Sequence, residues 1–238
     1  MPKPVFIALD FATTTQAREF LAKFADVEKP AIKIGMELFY TADGFAFVQA
    51  AKAQGFTIFL DLKLYDIPNT VEKAAYNVGL LGVNYLTVHA AGGKRMLAGA
   101  VSGVTAGAKA AGVVVPQVLA VTQLTSFSEA ELQATQQVSV SLRESVIHLA
   151  QLAAEAGVAG TISSAFESAD IHAHTPAEFL SITPGIRFAG DAVGDQSRVV
   201  TPKRAAEMGA NGIVVGRSIT QAADPVAAYQ QAVSELND

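Results

Sequence analysis

The sequence predicts an α/β fold of one domain, a (β/α)8 TIM barrel that covers residues 1–238. Short apolar runs alternate with longer helical patterns along the chain, and eight such pairs fit its 238 residues. Glycine follows many of the helical patterns, where a left-handed residue commonly ends a helix: Gly55, Gly82, Gly112, Gly157 and Gly209. No linker, repeat or low-complexity segment divides the chain. One closed barrel therefore explains the pattern better than two half-domains do.

The predicted strands are the short apolar runs. They cover residues 5–9, 31–35, 56–60, 85–88, 113–121, 160–162, 179–182 and 212–215. The predicted helices cover residues 14–24, 44–54, 70–81, 96–110, 138–156, 165–172, 202–208 and 225–236. Threonines at 13–15 can cap the first helix, and Pro202 occupies a first helical position. In such a barrel the active site lies at the C-terminal ends of the strands.

The composition excludes several kinds of protein. The chain is 50% hydrophobic and carries a net charge of −5, which gives no indication of a nucleic-acid surface. It contains no cysteine, which excludes disulfides, thiol catalysis and cysteine-ligated metals. No apolar stretch approaches the length of a membrane span, and the N-terminal residues lack the pattern of a signal peptide. We therefore expect a cytoplasmic protein that binds neither nucleic acid nor membrane.

The most informative segment is FLDLKLYDIPNT, residues 59–70. An apolar strand ends there in Asp61, Lys63 and Asp66, and Pro68 then opens a helix. Asp61 and Lys63 are two residues apart, so they share one face of the strand. Charges on a buried strand end are costly to desolvate, so they either neutralise one another or serve chemistry. A salt-bridged strand end is the better explanation for an isolated D-x-K, but the longer motif favours a functional site.

Lys33 is the second sign of a charged site. It lies in Ala-Ile-Lys-Ile-Gly, and a lysine within a buried strand needs an anionic partner. An edge lysine whose ammonium reaches solvent is the alternative. If the barrel is correct, Lys33 meets the strand-end charges in a network Lys33–Asp61–Lys63–Asp66.

The last two strands predict a phosphate site. Residues 183–187, Thr-Pro-Gly-Ile-Arg, follow the seventh strand and lead into a polar loop over residues 188–198, and Gly216-Arg217 ends the eighth strand. Barrels commonly bind phosphate on these two loops, where glycine lets the backbone approach and arginine supplies a charged fork. A turn glycine beside a surface arginine is the alternative.

The histidines give weaker signals. His89 ends the fourth strand, where an acid–base role is open but a hydrogen-bonded core histidine is the more common case. His172 and His174 have a metal-like spacing, but no carboxylates complete a site, so we predict no metal. The sequence also lacks the glycine motifs that bind nucleoside triphosphates and dinucleotides.

Asp61-x-Lys63-x-x-Asp66-Ile67-Pro68-Asn69-Thr70 resembles the signature of the orotidine 5′-phosphate decarboxylase family. The resemblance covers essentially the whole chain, in the family's order. It includes Ala8-Leu9-Asp10, Lys33, Val121-Thr122, Pro184-Gly185-Ile186-Arg187, Gln196 and Gly216-Arg217. The absence of appended domains resembles the bacterial branch. The family's fold is the (β/α)8 barrel, in agreement with the pattern of elements.

This resemblance implies decarboxylation of orotidine 5′-monophosphate to uridine 5′-monophosphate and CO2, the last step of de novo pyrimidine synthesis. It implies no metal, no cofactor and no covalent intermediate. Lys63 would donate the proton to C6, and Asp61 would lie near the substrate carboxylate. Asp66, with Ile67 and Thr70 on the same loop, would enter the site from the other subunit of a homodimer.

The remaining roles follow by position from the same resemblance. Lys33 and Asp10 would hold the ribose hydroxyls and order the charge network. Thr122 would lie beside the pyrimidine and the phosphate end. The other pyrimidine and phosphate contacts would come from Arg187, Gln196, Arg217 and the Gly216 amide.

Two other functions remain open at this point. A related barrel could decarboxylate or condense sugar phosphates through a Mg²⁺-stabilised enediolate, but such relatives carry an acid as a metal ligand where this chain has Lys33. A catalytically silent phosphate-binding barrel is an alternative of another class. The presence of Lys63 and both aspartates disfavours it.

Overall fold

A computed structural model describes residues 2–191 and 199–238 and confirms the predicted fold. Eight parallel strands follow one another in sequence order, and the eighth pairs with the first to close a barrel. The strands are β1 (Val5–Ala8), β2 (Ala31–Gly35), β3 (Thr57–Leu64), β4 (Tyr85–His89), β5 (Gln117–Val121), β6 (Gly160–Ile162), β7 (Leu180–Ile186) and β8 (Gly212–Val215).

Helices connect the strands on the outside of the barrel. They are α1 (Thr14–Ala22), α2 (Met36–Phe39), α3 (Gly44–Ala53), α4 (Pro68–Leu81), α5 (Gly93–Ala111), α6 (Glu129–Gln136), α7 (Leu142–Glu155), α8 (Ser168–His174), α9 (Pro202–Glu207), α10 (Arg217–Thr220) and α11 (Pro225–Asn237). Short 3-10 turns at Ala90–Gly92 and Ala165–Glu167 precede α5 and α8. Pro68, Pro202 and Pro225 each lie in the first turn of a helix, where the missing N–H costs nothing.

Several predicted boundaries were wrong. Strands β3 and β7 extend to Leu64 and Ile186, beyond the predicted ends at residues 60 and 182. The helix predicted over residues 138–156 begins only at Leu142, where Ser141 caps α7, and the separate helix before it, α6, was not predicted. Ser128 caps α6, and each of the two caps has a glutamate three residues later. The strand predicted from residue 113 starts at Gln117. The valines at 113–115 are 39%, 82% and 43% exposed, and the proline that follows them has no N–H for the sheet.

The barrel interior is filled by side chains at the level of the strand centres. Phe6 contacts Phe59 and Tyr85 edge to face, with ring centroids 5.2 Å apart in both pairs. Ile182 and Val214 belong to the same interior cluster. A second, larger cluster packs between the strands and the helices. This packing leaves the polar residues at the C-terminal ends of the strands, where the functional residues were predicted.

Helices α4 and α5 contact each other through glycine. A Cβ atom on Gly103 would overlap the carbonyl oxygen of Glu72, and one on Gly107 would overlap that of Tyr76. The backbones therefore approach more closely than any side chain allows. Because α4 begins directly after the charged end of β3, this packing also fixes where that segment leaves the barrel.

Candidate active site

The C-terminal ends of β1, β2 and β3 bring together Asp10, Lys33, Asp61 and Lys63, here called the charged wall. Lys33 Nζ lies 3.1 Å from Asp10 Oδ1 and 3.5 Å from Asp61 Oδ2. Lys63 Nζ lies 2.8 Å from the same Asp61 oxygen. The predicted contact of Asp61 with both lysines is confirmed. Within one chain, however, the fourth member of the network is Asp10 and not Asp66.

Asp61 is the most enclosed member of the charged wall, with its side chain 11% exposed. Burial alone raises the pKa of this carboxyl, because it penalises the charged form. The positive charges of Lys33 and Lys63, with hydrogen bonds from Lys63 and Thr87, outweigh burial and lower the pKa. Asp61 is therefore a carboxylate at neutral pH, fixed between two ammonium groups.

The backbone of β3 has an unusual conformation at this point. Lys63 has a φ of 50°, in the left-handed region that non-glycine residues rarely adopt. Its backbone N–H donates to the Thr87 hydroxyl at 2.9 Å, and that hydroxyl donates to Asp61 Oδ1 at 2.8 Å. Sequence reasoning missed Thr87, because one threonine within an apolar strand carries no distinctive signal.

A cavity of about 570 Å³ opens beside the charged wall. Arg187, Gly216 and Arg217, at the ends of β7 and β8, also line it and are here called the arginine wall. All seven residues of these two walls were predicted from the sequence. Cations, carboxylates and an open backbone around one cavity suit a small anionic ligand that also carries hydroxyl groups.

Gly216 leaves the arginine wall open. Among the described residues, a Cβ at this position would meet only the Ala8 Cβ, at 3.8 Å, so crowding by these residues does not explain the glycine. Its missing side chain instead exposes backbone to the cavity. Arg217 is exposed, and Arg187 is half-buried and donates to the Ile186 carbonyl at 2.8 Å.

Thr122 is not among the described residues that line the cavity, and Thr125 is. Thr122 directly follows β5 with only 3% of its surface exposed, and its N–H donates to the Ile162 carbonyl at 3.3 Å. We therefore assign the cavity position on this loop to Thr125. The segment contains two threonines three residues apart, and the sequence resemblance pointed to the first. Gln196, with residues 192–198 of the predicted 188–198 loop, lies outside the described residues.

Asp66 and Ile67 lie on the exposed loop between β3 and α4, and Thr70 lies in the first turn of α4; none of the three is among the described residues that line the cavity. Asp66 Oδ1 accepts a hydrogen bond from the Ile67 N–H at 2.6 Å. Tyr65 and Ile67 are 62% and 66% exposed, which is high for apolar side chains. The chain thus directs this loop outwards from its own cavity.

His89 is half-buried at the end of β4, with its ring centroid 5.7 Å from that of Tyr65. Burial, and then the charge of Lys63, lower the pKa of this histidine. The described part of the chain gives its ring no hydrogen bond, so the expectation of a hydrogen-bonded core histidine was wrong. Among residues 2–191 and 199–238, no three His, Asp or Glu side chains cluster as a metal site would.

A cavity at the strand ends, bounded by a buried ion network and two arginines, defines the chain as a barrel enzyme for a small anionic substrate. A sequence profile of the Orotidine 5′-phosphate decarboxylase / HUMPS family matches residues 3–232. The chain belongs to this family.

Individual relatives agree with the profile. The orotidine 5′-phosphate decarboxylase of Oenococcus oeni is 52% identical over 236 residues, covering 99% of this chain and 100% of the relative. That of Lactiplantibacillus plantarum is 52% identical over 238 residues, with 100% of both chains covered. The crystal structure of the Lactobacillus acidophilus enzyme superposes with a TM-score of 0.89 at 42% identity, covering 99% of this chain and 100% of that one. No helix among the described residues is long and apolar enough to cross a membrane.

Proposed function

We propose that this enzyme decarboxylates orotidine 5′-monophosphate to uridine 5′-monophosphate and CO2 in pyrimidine biosynthesis, in the cytoplasm. The observation that carries the proposal is the Lys33–Asp61–Lys63 network beside a cavity that two arginines on other strand ends also line. A substrate with a carboxylate on a pyrimidine and a phosphate at its far end fits this division of charge. The names of the relatives support the same activity.

Lys63 carries the chemistry in this proposal. When the bond from C6 to the carboxylate breaks, CO2 leaves and the electron pair stays at C6, where no π system accepts it. A fixed ammonium at that carbon stabilises charge that exists only near the transition state. Lys63 then donates a proton to C6. The negative charge of Asp61 beside the substrate carboxylate opposes the bound ground state more than the transition state.

The other residues hold the substrate. Lys33 and Asp10 bind the ribose hydroxyls and keep Asp61 ionised between the two lysines. Arg187, Gln196, Arg217 and the Gly216 amide bind the pyrimidine and phosphate end. Thr125 takes the role that the sequence resemblance gave to Thr122. The remote phosphate supplies binding energy that holds the reacting end in position. The proposal requires no metal or cofactor.

The test is the loss of orotate absorbance from orotidine 5′-monophosphate, followed with and without EDTA. We expect equal rates in both, because Lys33 stands where metal-dependent relatives carry an acidic ligand. Activity that disappears in EDTA and returns with Mg²⁺ would instead indicate the sugar-phosphate branch. Binding of uridine 5′-monophosphate without any turnover would indicate a silent binding protein.

The proposal includes a homodimer with shared active sites. Asp66, Ile67 and Thr70 lie outside their own cavity, on the β3–α4 loop and the first turn of α4, where exposed Tyr65 and Ile67 suit a contact between subunits. In a two-fold dimer each chain would lend this loop to its neighbour. A working site would then combine Lys63 of one chain with Asp66 of the other.

Subunit exchange tests the shared site. Lys63→Ala and Asp66→Ala should each be inactive alone, and a mixture should regain activity, because one site per heterodimer has both residues intact. The regained activity should decline on dilution as dimers dissociate. Activity that stays at the level of the separate mutants, after mass spectrometry has verified exchange, would place Asp66 in its own chain's site.

A further inference from the structure

Thr87 on β4 links the two charged residues of β3. Its side chain is fully buried inside the barrel. Its hydroxyl donates to Asp61 Oδ1 at 2.8 Å and accepts from the Lys63 backbone N–H at 2.9 Å. A hydroxyl has a single hydrogen to donate, so the bond to Asp61 fixes the direction in which it points.

The irregular course of β3 creates the need for this bond. Leu60 pairs with Leu86 and Leu64 pairs with Val88, so β3 uses more residues than β4 over the same length of sheet. Lys63 lies within this bulge, at a φ of 50°. A buried N–H that leaves its ladder needs another acceptor. The Thr87 hydroxyl is that acceptor, and it stabilises a backbone conformation that is otherwise unfavourable.

The same hydroxyl divides the two oxygens of Asp61. Oδ1 accepts from Thr87, and Oδ2 faces Lys63 Nζ at 2.8 Å and Lys33 Nζ at 3.5 Å. The bond from Thr87 therefore sets the rotation of the carboxylate, so that one oxygen faces both ammonium groups. If the hydroxyl were removed, the buried Oδ1 would lose this hydrogen-bond donor, which costs free energy. The carboxylate would then rotate to find another donor, and its alignment with the two ammonium groups would be lost.

We propose that Thr87 is a positioning residue that holds Asp61 and Lys63 in their reactive geometry, a role that rests on the function proposed above. Thr87 is not among the described residues that line the cavity, so it acts through its two neighbours. One atom on β4 fixes both the carboxylate of Asp61 and the backbone that carries the Lys63 ammonium.

Two substitutions separate the hydroxyl from the methyl group. Thr87→Val removes the hydroxyl and nearly keeps the shape, and Thr87→Ser keeps the hydroxyl and removes the methyl. We expect Thr87→Val to lower kcat by about 10- to 100-fold, the scale of a hydrogen bond to a charged group. Thr87→Ser should keep kcat within about threefold. The Kd for uridine 5′-monophosphate should change little in either variant, because the arginine wall is intact.

A role in packing alone predicts the opposite order, since serine leaves a small cavity and valine does not. If the valine variant does not fold, Thr87→Ser and Thr87→Ala form a second pair that differs only in the hydroxyl, and the serine variant should be the faster. If the unmodified enzyme is active and the two variants of the pair that folds have equal kcat, the inference about Thr87 is overturned and the proposed function stands. An unmodified enzyme that releases no CO2 would overturn the proposed function and this inference with it.

Discussion

The two walls of the cavity are built on different principles. The residues of the charged wall contact one another at 2.8–3.5 Å, and its central Asp61 and Lys33 side chains are 11% and 12% exposed. The arginine wall has an exposed Arg217 and a glycine that uncovers the backbone. The charged wall is enclosed by contacts among its own residues, and the arginine wall exposes an arginine side chain and glycine backbone.

This difference matches the two tasks of the proposed reaction. Stabilising a transition state requires charges that are already in place when the reaction begins, because the free energy needed to reorganise them would offset the stabilisation. Binding a phosphate requires accessible donors, and arginine and backbone N–H groups provide them. Asp61 and Lys63 of the charged wall should therefore control kcat, and the arginine wall should control binding of the phosphate end. The following predictions test that separation, from the largest expected effect to the smallest.

Lys63→Ala should remove the reactive ammonium from the charged wall without affecting the arginine wall. We expect kcat to fall on the order of 10⁴-fold, since both proton donation and electrostatic stabilisation are lost. The Kd for uridine 5′-monophosphate, measured by calorimetry, should stay within a few-fold of the unmodified enzyme. Lys94→Ala is the matched control, because Lys94 forms an exposed salt bridge with Glu155 away from the cavity. Near-normal kcat in Lys63→Ala would refute the assigned chemistry.

Asp61→Asn should show that the charged wall also contributes to stability. Removing one partner of a buried ion network typically costs roughly 3 kcal/mol of unfolding free energy. The pKa of Asp61 is lower in the folded protein than in the unfolded chain, where it is about 4. The contribution of its charge to the free energy of unfolding is therefore fully present above the unfolded pKa, and it is lost as the pH falls through the folded pKa.

Urea unfolding measures this pH dependence. The difference between the unmodified enzyme and Asp61→Asn should be largest near pH 7 and should narrow as the pH falls below about 4. Asp26→Asn, at an exposed carboxylate, serves as the control. A difference that stays constant across this range would show that the charge of Asp61 is not the source of the stability.

Arg217→Ala should affect the arginine wall alone. We expect kcat/KM to fall about 10- to 100-fold, the scale of a lost charge-assisted contact. Added guanidinium should restore part of the rate by occupying the vacated cation site. Arg204→Ala is the control, because Arg204 forms an exposed ion pair with Glu207 on α9. Unchanged kinetics in Arg217→Ala would make Arg217 a surface residue without a role in binding.

The sequence predicted most of what alternation and charge can reveal. Eight strands in order and both cavity walls followed from apolar runs and from the polar residues at their ends. Asp61 and Lys63 were predicted to meet because residues two apart share a face of a strand. These features depend on local pattern, and the barrel topology then brings them together.

The missed features depend on contacts between strands. The left-handed backbone at Lys63 and the bond from Thr87 arise from the register shift between β3 and β4, which no local pattern encodes. Thr125 was overlooked because only the course of the loop after β5 shows which threonine reaches the cavity. The omission of α6 was a different kind of error, since its capping box was present in the sequence and was not used.

The glycine contacts between α4 and α5 restrict how the sequence can vary. Gly79, Gly103 and Gly107 carry no functional group, yet a side chain at any of them would overlap the backbone of the facing helix. A survey of all single substitutions should therefore find these positions as intolerant as Lys63, but with loss of folded protein in place of loss of turnover. Measuring abundance and activity together would separate the two kinds of intolerant position.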